Sequence, residues 1–116
     1  MSDPVRAALT TYAKVWATDD RDGFLGLFAE TATIEDPVGS GVVEGKAAIA
    51  EFWDNVHSLP LTYEVEVVRI VSCGLEGVLV FNVTTRGEGM AMTVRIVDVF
   101  TIDDSGHIAS MRAFWD

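Results

Sequence analysis

Apolar residues in the first half of the chain recur mostly at helical spacing. A first helix is predicted to begin after Ser2 or Asp3 as N-cap, with Pro4 in its first turn. Its apolar stripe comprises Val5, Ala8, Leu9, Tyr12, Val15 and Trp16. A second, short helix is predicted over residues 20–29, where Gly23 and Gly26 lower the helix propensity. A third is predicted over Lys46–His57, whose stripe is Ile49, Phe52, Trp53 and Val56.

Elsewhere apolar and polar residues alternate, as is typical of strands. Residues 31–36 place Ala32, Ile34 and Asp36 on one face, and Pro37 ends the pattern. After Pro60 the period of two predicts strands over Thr62–Cys73, residues 78–86, Met90–Ile102 and residues 107–115. Because short turns connect these last four strands, we expect an antiparallel meander. The fold class predicted is α+β, with helices covering one face of the sheet.

Composition restricts the class of protein. The 116 residues are 49% apolar and 22% charged, and they contain no apolar run of the roughly 18 residues that a membrane helix needs. We expect one soluble domain over residues 1–116. The formal charge of −10 disfavours nucleic acid and anionic membrane surfaces as partners. A single cysteine, Cys73, and an N-terminus without a secretory pattern predict a cytoplasmic protein.

One carboxyl interrupts an apolar row. The even positions of Met90–Ile102 are Met90, Met92, Val94, Ile96, Asp98, Phe100 and Ile102. A carboxyl on an apolar face must be paired, metal-bound or protonated. The strand carries no Lys or Arg of the same parity, and neither His57 nor His107, both expected to face solvent, has metal-ligand spacing. A protonated, hydrogen-bond-donating Asp98 remains, alongside a strand bulge or a backbone cap as structural alternatives.

Two further polar residues share faces with apolar ones. Tyr12 lies on the core stripe of the first helix, and Asp36 shares a strand face with Ala32 and Ile34. Each has an ordinary structural alternative, a core tyrosine whose hydroxyl reaches the rim and an Asp-Pro turn. Together with Asp98 they supply hydrogen-bond donors and a base without metal or cofactor, which suits proton transfer next to a carbonyl.

The segments that carry these residues resemble the bacterial ketosteroid isomerases, or steroid Δ-isomerases. The similar segments are ATIEDPVGS at residues 32–40, EGK at 44–46, AIAEF at 48–52, IVDVF at 96–100, DSGHI at 104–108 and SMRA at 110–113. The resemblance runs from about Leu9 to Trp115. It implies the cone fold of the nuclear transport factor 2-like superfamily, a curved antiparallel sheet with three helices of the N-terminal half packed on one face. Enzymes and non-enzymes share that fold.

The resemblance also implies a role for each polar residue. Asp36 would be the general base that moves a proton from C4 to C6 of a 3-oxo-Δ5-steroid, and Tyr12 with a protonated Asp98 would form the oxyanion hole. Ketosteroid isomerase is itself a standard worked example of this division of labour. The steroid pocket would be lined by Val38, Phe52, Trp53, Phe81, Val83, Phe100, Met111 and Trp115. No cofactor or metal is expected, and a homodimer is, with Val97 and Val99 exposed on the outer sheet face.

The chain departs from the family pattern in two places, and other functions stay open. Phe28 and Trp53 stand where some members have tyrosines that extend the hydrogen bond of Tyr12, although the Trp53 indole could still donate. The chain stops at Asp116, so we expect a shorter pocket mouth or dimer contact. The alternatives are a non-catalytic domain for hydrophobic-ligand binding or dimerisation, or another enzyme of this fold. A polyketide cyclase or dehydratase would use a pocket histidine; an epoxide hydrolase would need an arginine between two acids, and Arg95 lies opposite Asp98.

Overall fold

Three helices and six strands make up the computed structural model over the part of the chain that it describes, residues 3–116. The elements are α1 (Pro4–Ala17), α2 (Arg21–Gly26), β1 (Phe28–Glu35), β2 (Val43–Glu44), α3 (Lys46–His57), β3 (Thr62–Cys73), β4 (Glu76–Gly87), β5 (Met90–Ile102) and β6 (Ile108–Trp115). The predicted bounds of α3, β3 and β5 are confirmed. Asp3 caps α1 by accepting a hydrogen bond from the Arg6 amide, whereas the other candidate cap, Ser2, lies outside the described residues.

All six strands form one curved sheet in the order β2-β1-β6-β5-β4-β3. The antiparallel meander β3 to β6 is confirmed, as is the α+β class with three helices on one face. One pair differs, because β1 runs parallel to β6. The elements β2, α3 and β3 to β5 separate these strands along the chain, so β6 reaches β1 by a crossover rather than by a hairpin.

The second helix is shorter than predicted, and the first strand is longer. α2 ends at Gly26 rather than residue 29, and β1 begins at Phe28 rather than residue 31. Phe28 pairs with Ile108 of β6 and is fully buried, so sheet pairing and burial override the helical clustering of its neighbours. The two-residue strand β2 was not predicted. It pairs with Thr33 and Ile34 of β1, and two residues are too few to show a period.

The helices cover only one end of the inner face of the sheet. α1 approaches β4 so closely that a Cβ atom on Gly77 would lie 2.7 Å from Val5 Cγ1 and 2.8 Å from Leu9 Cδ2. Along the inner row of β5, Phe100 is fully buried but Met92 is 56% exposed. The packed core therefore lies at one end of this row, and the other end is open. None of the described helices is long and apolar enough to cross a membrane.

The outer face of the sheet is partly covered by its own side chains. Val97 and Val99, expected to be exposed, are half-buried. Their cross-strand neighbours in β4 are Val80 and Val78, and β-branched side chains on adjacent strands shield one another.

Candidate active site

A cavity of about 390 Å³ occupies the open end of the inner sheet face. Its wall is mainly apolar and is built from α1, the residue that follows β1, α3, the loop after α3 and the strands β3 to β6. The three polar residues singled out from the sequence, Tyr12, Asp36 and Asp98, all lie on this wall. Residues 12, 36 and 98 are thus brought together from a helix, a strand end and the middle of another strand.

Asp98 lies where the packed core meets the cavity. It pairs with Leu79 of β4 and Ala113 of β6, and it is 2% exposed. The register on both sides is unbroken at this position, so the alternative of a strand bulge is wrong. Its Oδ1 atom is buried and accepts no hydrogen bond from the described residues. Burial, and secondly the charge of Asp36, raises the pKa of Asp98 well above its usual value.

Asp36 follows directly after β1 and is held by two contacts with β6. The amide of Val38 donates a 2.8 Å hydrogen bond to the carbonyl of Ala113, the residue that pairs with Asp98. The indole Nε1 of Trp115 donates a 2.9 Å hydrogen bond to Asp36 Oδ1. Burial raises the pKa of Asp36, and the Trp115 hydrogen bond partly offsets this effect because it favours the carboxylate.

Tyr12 is buried against aromatic rings at the foot of the cavity. Its ring meets Phe100 edge to face, with centroids 4.9 Å apart, and Phe24 lies 6.0 Å away. Burial, followed by the charges of Asp98 and Asp36, raises the pKa of the phenol well above 10. Tyr12 therefore keeps its proton and is available as a hydrogen-bond donor.

The three environments favour different protonation states. Asp98 is almost fully buried and has no charge-stabilising partner among residues 3–116, whereas Asp36 is only half-buried and accepts a hydrogen bond from Trp115. Because neighbouring carboxylates repel each other, ionisation of Asp36 further favours a protonated Asp98. The site can accept a proton at one carboxylate and donate hydrogen bonds from a phenol and a carboxylic acid.

The structure places half of the predicted pocket residues on the cavity wall. These are Phe52, Phe81, Val83 and Trp115. The other four, Val38, Trp53, Phe100 and Met111, do not line it. Phe100 and Met111 pair across β5 and β6 in the fully buried core, and Trp53 lies behind Trp16, with ring centroids 4.5 Å apart. Val38 lies in the loop beyond Asp36.

Several residues of the cavity wall were not predicted from the sequence. They are Trp16, Val56, Leu59, Leu61, Tyr63, Val65, Thr85, Met92, Val94 and Ile96. Three of them lie on the same β5 row as Asp98, and Trp16 follows Tyr12 by one turn of α1. Those positions could have been found by following each polar residue along its own face.

His57 was expected to face solvent, but the structure places it against aromatic rings. Its side chain is 20% exposed and its ring stacks on Trp53, with centroids 4.1 Å apart, and on Trp16 at 5.4 Å. Stacking with two indoles outweighs the polarity of the imidazole at this helix end. His107 is exposed, as predicted. Neither histidine lies on the cavity wall.

Among residues 3–116, the charged side chains other than Asp36 and Asp98 do not line the cavity. Arg95 is exposed and donates a 2.7 Å hydrogen bond to Asn82. Arg95 and its cross-strand partner Asn82 therefore lie on the face of the sheet opposite to Asp98. Within residues 3–116 no group of three His, Cys, Asp or Glu residues could hold a metal ion.

Comparison with known proteins gives consistent results along most of the chain. Residues 9–111 match the model of the SnoaL-like domain. Over 115 residues the chain is 38% identical to the steroid Delta-isomerase of Nocardioides simplex, an alignment that covers 99% of this chain and 92% of that protein.

Two solved structures are similar at 29% sequence identity. The Delta5-3-ketosteroid isomerase of Mycobacterium sp. superposes with a TM-score of 0.85, covering 99% of this chain and 95% of that one. The epoxide hydrolase/cyclase-like enzyme SalBIII, described as having a role in pyran ring formation in the polyether salinomycin, gives a TM-score of 0.84 with 96% and 89% coverage. The similar structures thus include more than one kind of chemistry.

Proposed function

The chain belongs to the family of SnoaL-like domains, and from this premise we propose that it is a steroid Δ5-isomerase that converts 3-oxo-Δ5-steroids to 3-oxo-Δ4-steroids. One observation carries the proposal most directly. Tyr12, Asp36 and Asp98 share one apolar cavity, in which burial raises the pKa values of Tyr12 and Asp98 well above their usual values and that of Asp36 less. The similarity to named steroid isomerases supports the same reaction.

The reaction begins with removal of a proton from C4 of the steroid by Asp36. This carbon lies next to the C3 ketone, so the electron pair released moves onto the ketone oxygen and forms a dienolate. The carboxylate is half-buried among apolar side chains, and its pKa is raised by that burial, which makes it a stronger base than an aspartate in water. The proton then rests on Asp36.

Tyr12 and Asp98 stabilise the negative charge that develops on the steroid oxygen. Both side chains keep their protons and both line the buried end of the cavity. Fixed donors in a water-poor site stabilise an oxyanion more than water does, because they need not reorient during the reaction. The steroid C3 oxygen is therefore placed toward residues 12 and 98.

Asp36 completes the reaction by returning its proton to C6. The electron pair of the dienolate reforms the C3 ketone and leaves the double bond conjugated with it, so atoms and charge balance without a cofactor. Trp115 holds one carboxylate oxygen through its indole N–H, which leaves the other oxygen to carry the proton between the two carbons. The apolar wall supplies binding energy for the ring system at about 25 cal/mol per Å² buried, before the costs of association.

The epoxide hydrolase/cyclase alternative lacks support from the cavity. The cavity wall includes two carboxyl groups and, among the described residues, no arginine, lysine or histidine. A passive hydrophobic-ligand domain would leave the buried Asp98 without a use.

The proposal also includes a homodimer formed through the outer sheet face, where Phe114 is exposed beside Val97. Sedimentation as a monomer at micromolar concentration would contradict the proposed dimer.

A spectroscopic assay tests the function. A 3-oxo-Δ5-steroid added to the protein should give the rising ultraviolet absorbance of a conjugated enone. Asp36→Asn should slow turnover by about 100- to 10,000-fold while steroid binding persists, because an amide cannot act as a base. Glu35→Gln is the matched control, since the Glu35 carboxylate lies off the cavity wall and accepts hydrogen bonds from the Gly39 amide and the Arg112 guanidinium. Absence of turnover in the wild type, or unchanged turnover in the Asn variant, would refute the proposal.

A further inference from the structure

Trp16 carries a polar group that the reaction described above does not use. It follows Tyr12 by one turn of α1, on the same face of the helix, and both residues line the cavity. Its indole Nε1 is buried and forms no hydrogen bond with the described residues. Buried donors in folded proteins are nearly always bonded, so an unbonded indole N–H beside a cavity calls for an explanation.

The hydroxyl of Tyr12 is the acceptor that best matches this donor. The two rings have centroids 6.4 Å apart and are tilted by 58°. The indole N–H of Trp16 acts to lower the pKa of the Tyr12 phenol, against the larger upward effects of burial and of the two aspartates. A group has this effect when its donor faces the phenol oxygen and favours the phenolate.

The indole is held in place by packing. Trp53 and Phe24 lie 4.5 Å and 5.4 Å from the Trp16 ring, centroid to centroid, and His57 stacks on it at 5.4 Å. An aromatic ring fixed on several sides has little rotamer freedom, so its N–H keeps one direction. Trp16 is thus a preorganised donor rather than a mobile cavity side chain.

We propose that Trp16 is a positioning residue whose indole N–H, unbonded in this structure, donates to the Tyr12 hydroxyl oxygen once Tyr12 donates to the steroid oxyanion. This inference rests on the proposed function, because it gives Trp16 a part in the same oxyanion hole. As the phenol gives more of its proton to the oxyanion, negative charge builds on its oxygen, and a donor behind it stabilises that charge. The effect is therefore larger in the transition state than in the bound substrate.

The sharpest test removes the N–H and little else. Trp16 is replaced by 3-benzothienylalanine, which keeps the bicyclic ring shape and has sulfur in place of the N–H, and Trp16→Phe serves as a second, genetically simple variant. We expect kcat to fall about three- to tenfold, the range that loss of one hydrogen bond gives, with KM within about twofold. The same analogue placed at Trp53 is the matched control, since it removes an indole N–H of the same aromatic cluster, off the cavity wall, and keeps the ring that packs on Trp16.

A second readout does not depend on turnover. Fluorescence titration measures the affinity for equilenin, an acidic phenol whose bound phenolate mimics the dienolate, and for a neutral saturated 3-oxosteroid. The Trp16 benzothienyl variant should lose about three- to tenfold in affinity for the phenol and none for the saturated ketone. Equal losses for both ligands would show a packing role, and unchanged affinities with unchanged kcat would show none, so either result overturns the proposal. Inactivity of the wild type on Δ5-steroids would refute the proposed function, whereas the phenol titration would still decide the role of Trp16.

Discussion

Trp115 and Asp36 stand 79 positions apart in the chain and are joined by a 2.9 Å hydrogen bond at the wall of one cavity. The indole donates and the carboxylate accepts, so the bond favours the ionised form of Asp36 and opposes the effect of burial. The base strength of this carboxylate therefore depends on a residue of the last strand.

Replacement of Trp115 should change the pH dependence of the reaction. Trp115→Phe removes the donor that lowers the pKa of Asp36, so the pKa rises and the carboxylate is protonated at higher pH than before. The acidic midpoint of kcat/KM against pH should move upward. Leu75→Ala is the control, because Leu75 is exposed in the turn between β3 and β4, off the cavity wall. A midpoint that stays in place or moves downward in Trp115→Phe would contradict the assignment of Asp36.

Replacement of Asp98 should separate activity from stability. Since the folded-state pKa of Asp98 is raised, the folded protein binds more protons than the unfolded chain from about pH 4 up to that pKa. The wild type should lose stability as pH rises through this window, by at most about 1.4 kcal/mol per pH unit from this group. Asp98→Asn does not titrate, so its stability relative to the wild type should rise with pH while its isomerase activity falls. Urea unfolding at a series of pH values measures the difference.

Asp103 provides the opposite sign as a control. The backbone amide of His107 and the side chain of Ser105 hold the pKa of Asp103 below its usual value. Its contribution to stability is therefore present above the unfolded pKa and is lost as pH falls through the folded pKa. Asp103→Asn should be less stable than the wild type near neutrality, with a difference that shrinks in acid. If both Asn variants followed the same trend, the assignment of Asp98 as a buried neutral acid would be wrong.

The contact between α1 and β4 should tolerate no added methyl group. Gly77→Ala would place a Cβ atom under 3 Å from Val5 and Leu9, and overpacking of this kind costs about 1–3 kcal/mol. Gly26→Ala is the matched control, because no atom lies within 4 Å of the added Cβ, and alanine in a helix is favoured by about 0.5–1 kcal/mol. Chemical denaturation of both variants measures the contrast. Equal stability of the two would show that α1 does not pack as described.

Substitutions at the two ends of the β5 row should have different effects. Phe100→Ala should destabilise the fold by about 3–5 kcal/mol, because Phe100 is fully buried in the packed core. Met92→Ala should change stability by no more than about 0.5 kcal/mol, because Met92 is 56% exposed at the cavity, and should instead raise the KM for steroid. Thermal unfolding and steady-state kinetics of both variants test this. A large loss of stability in Met92→Ala would contradict an open cavity end.

Strong amphipathic periods in the sequence were enough to predict the long elements. α3, β3 and β5 have the predicted bounds, and each spans at least twelve residues along which one face is less exposed than the other. Phe28 was misplaced because it pairs in the sheet with Ile108, a residue 80 positions later, and no local pattern reveals such a pairing. The parallel pairing of β1 with β6 was missed for the same reason.

The polar residues of the cavity could be predicted, but its extent could not. Asp98 was identifiable because it interrupts an apolar row, and the structure places Tyr12 and Asp36 on the same wall. Alternation says which face a residue occupies, yet not which end of that face the helices cover. Phe100 and Met92 have the same parity, and only the position of α1 decides that one is core and the other lines a cavity.

The uneven cover of the β5 row also bears on how this protein could change. Substitutions from Met92 to Ile96 reshape the ligand-facing surface, whereas Phe100 and Ile102 maintain folding, and Asp98 stands at the junction. New substrate preferences can therefore arise through substitutions at one end of the strand without lowering the stability that the other end contributes. A single strand of this kind lets ligand preference diverge while the fold and Asp98 stay unchanged.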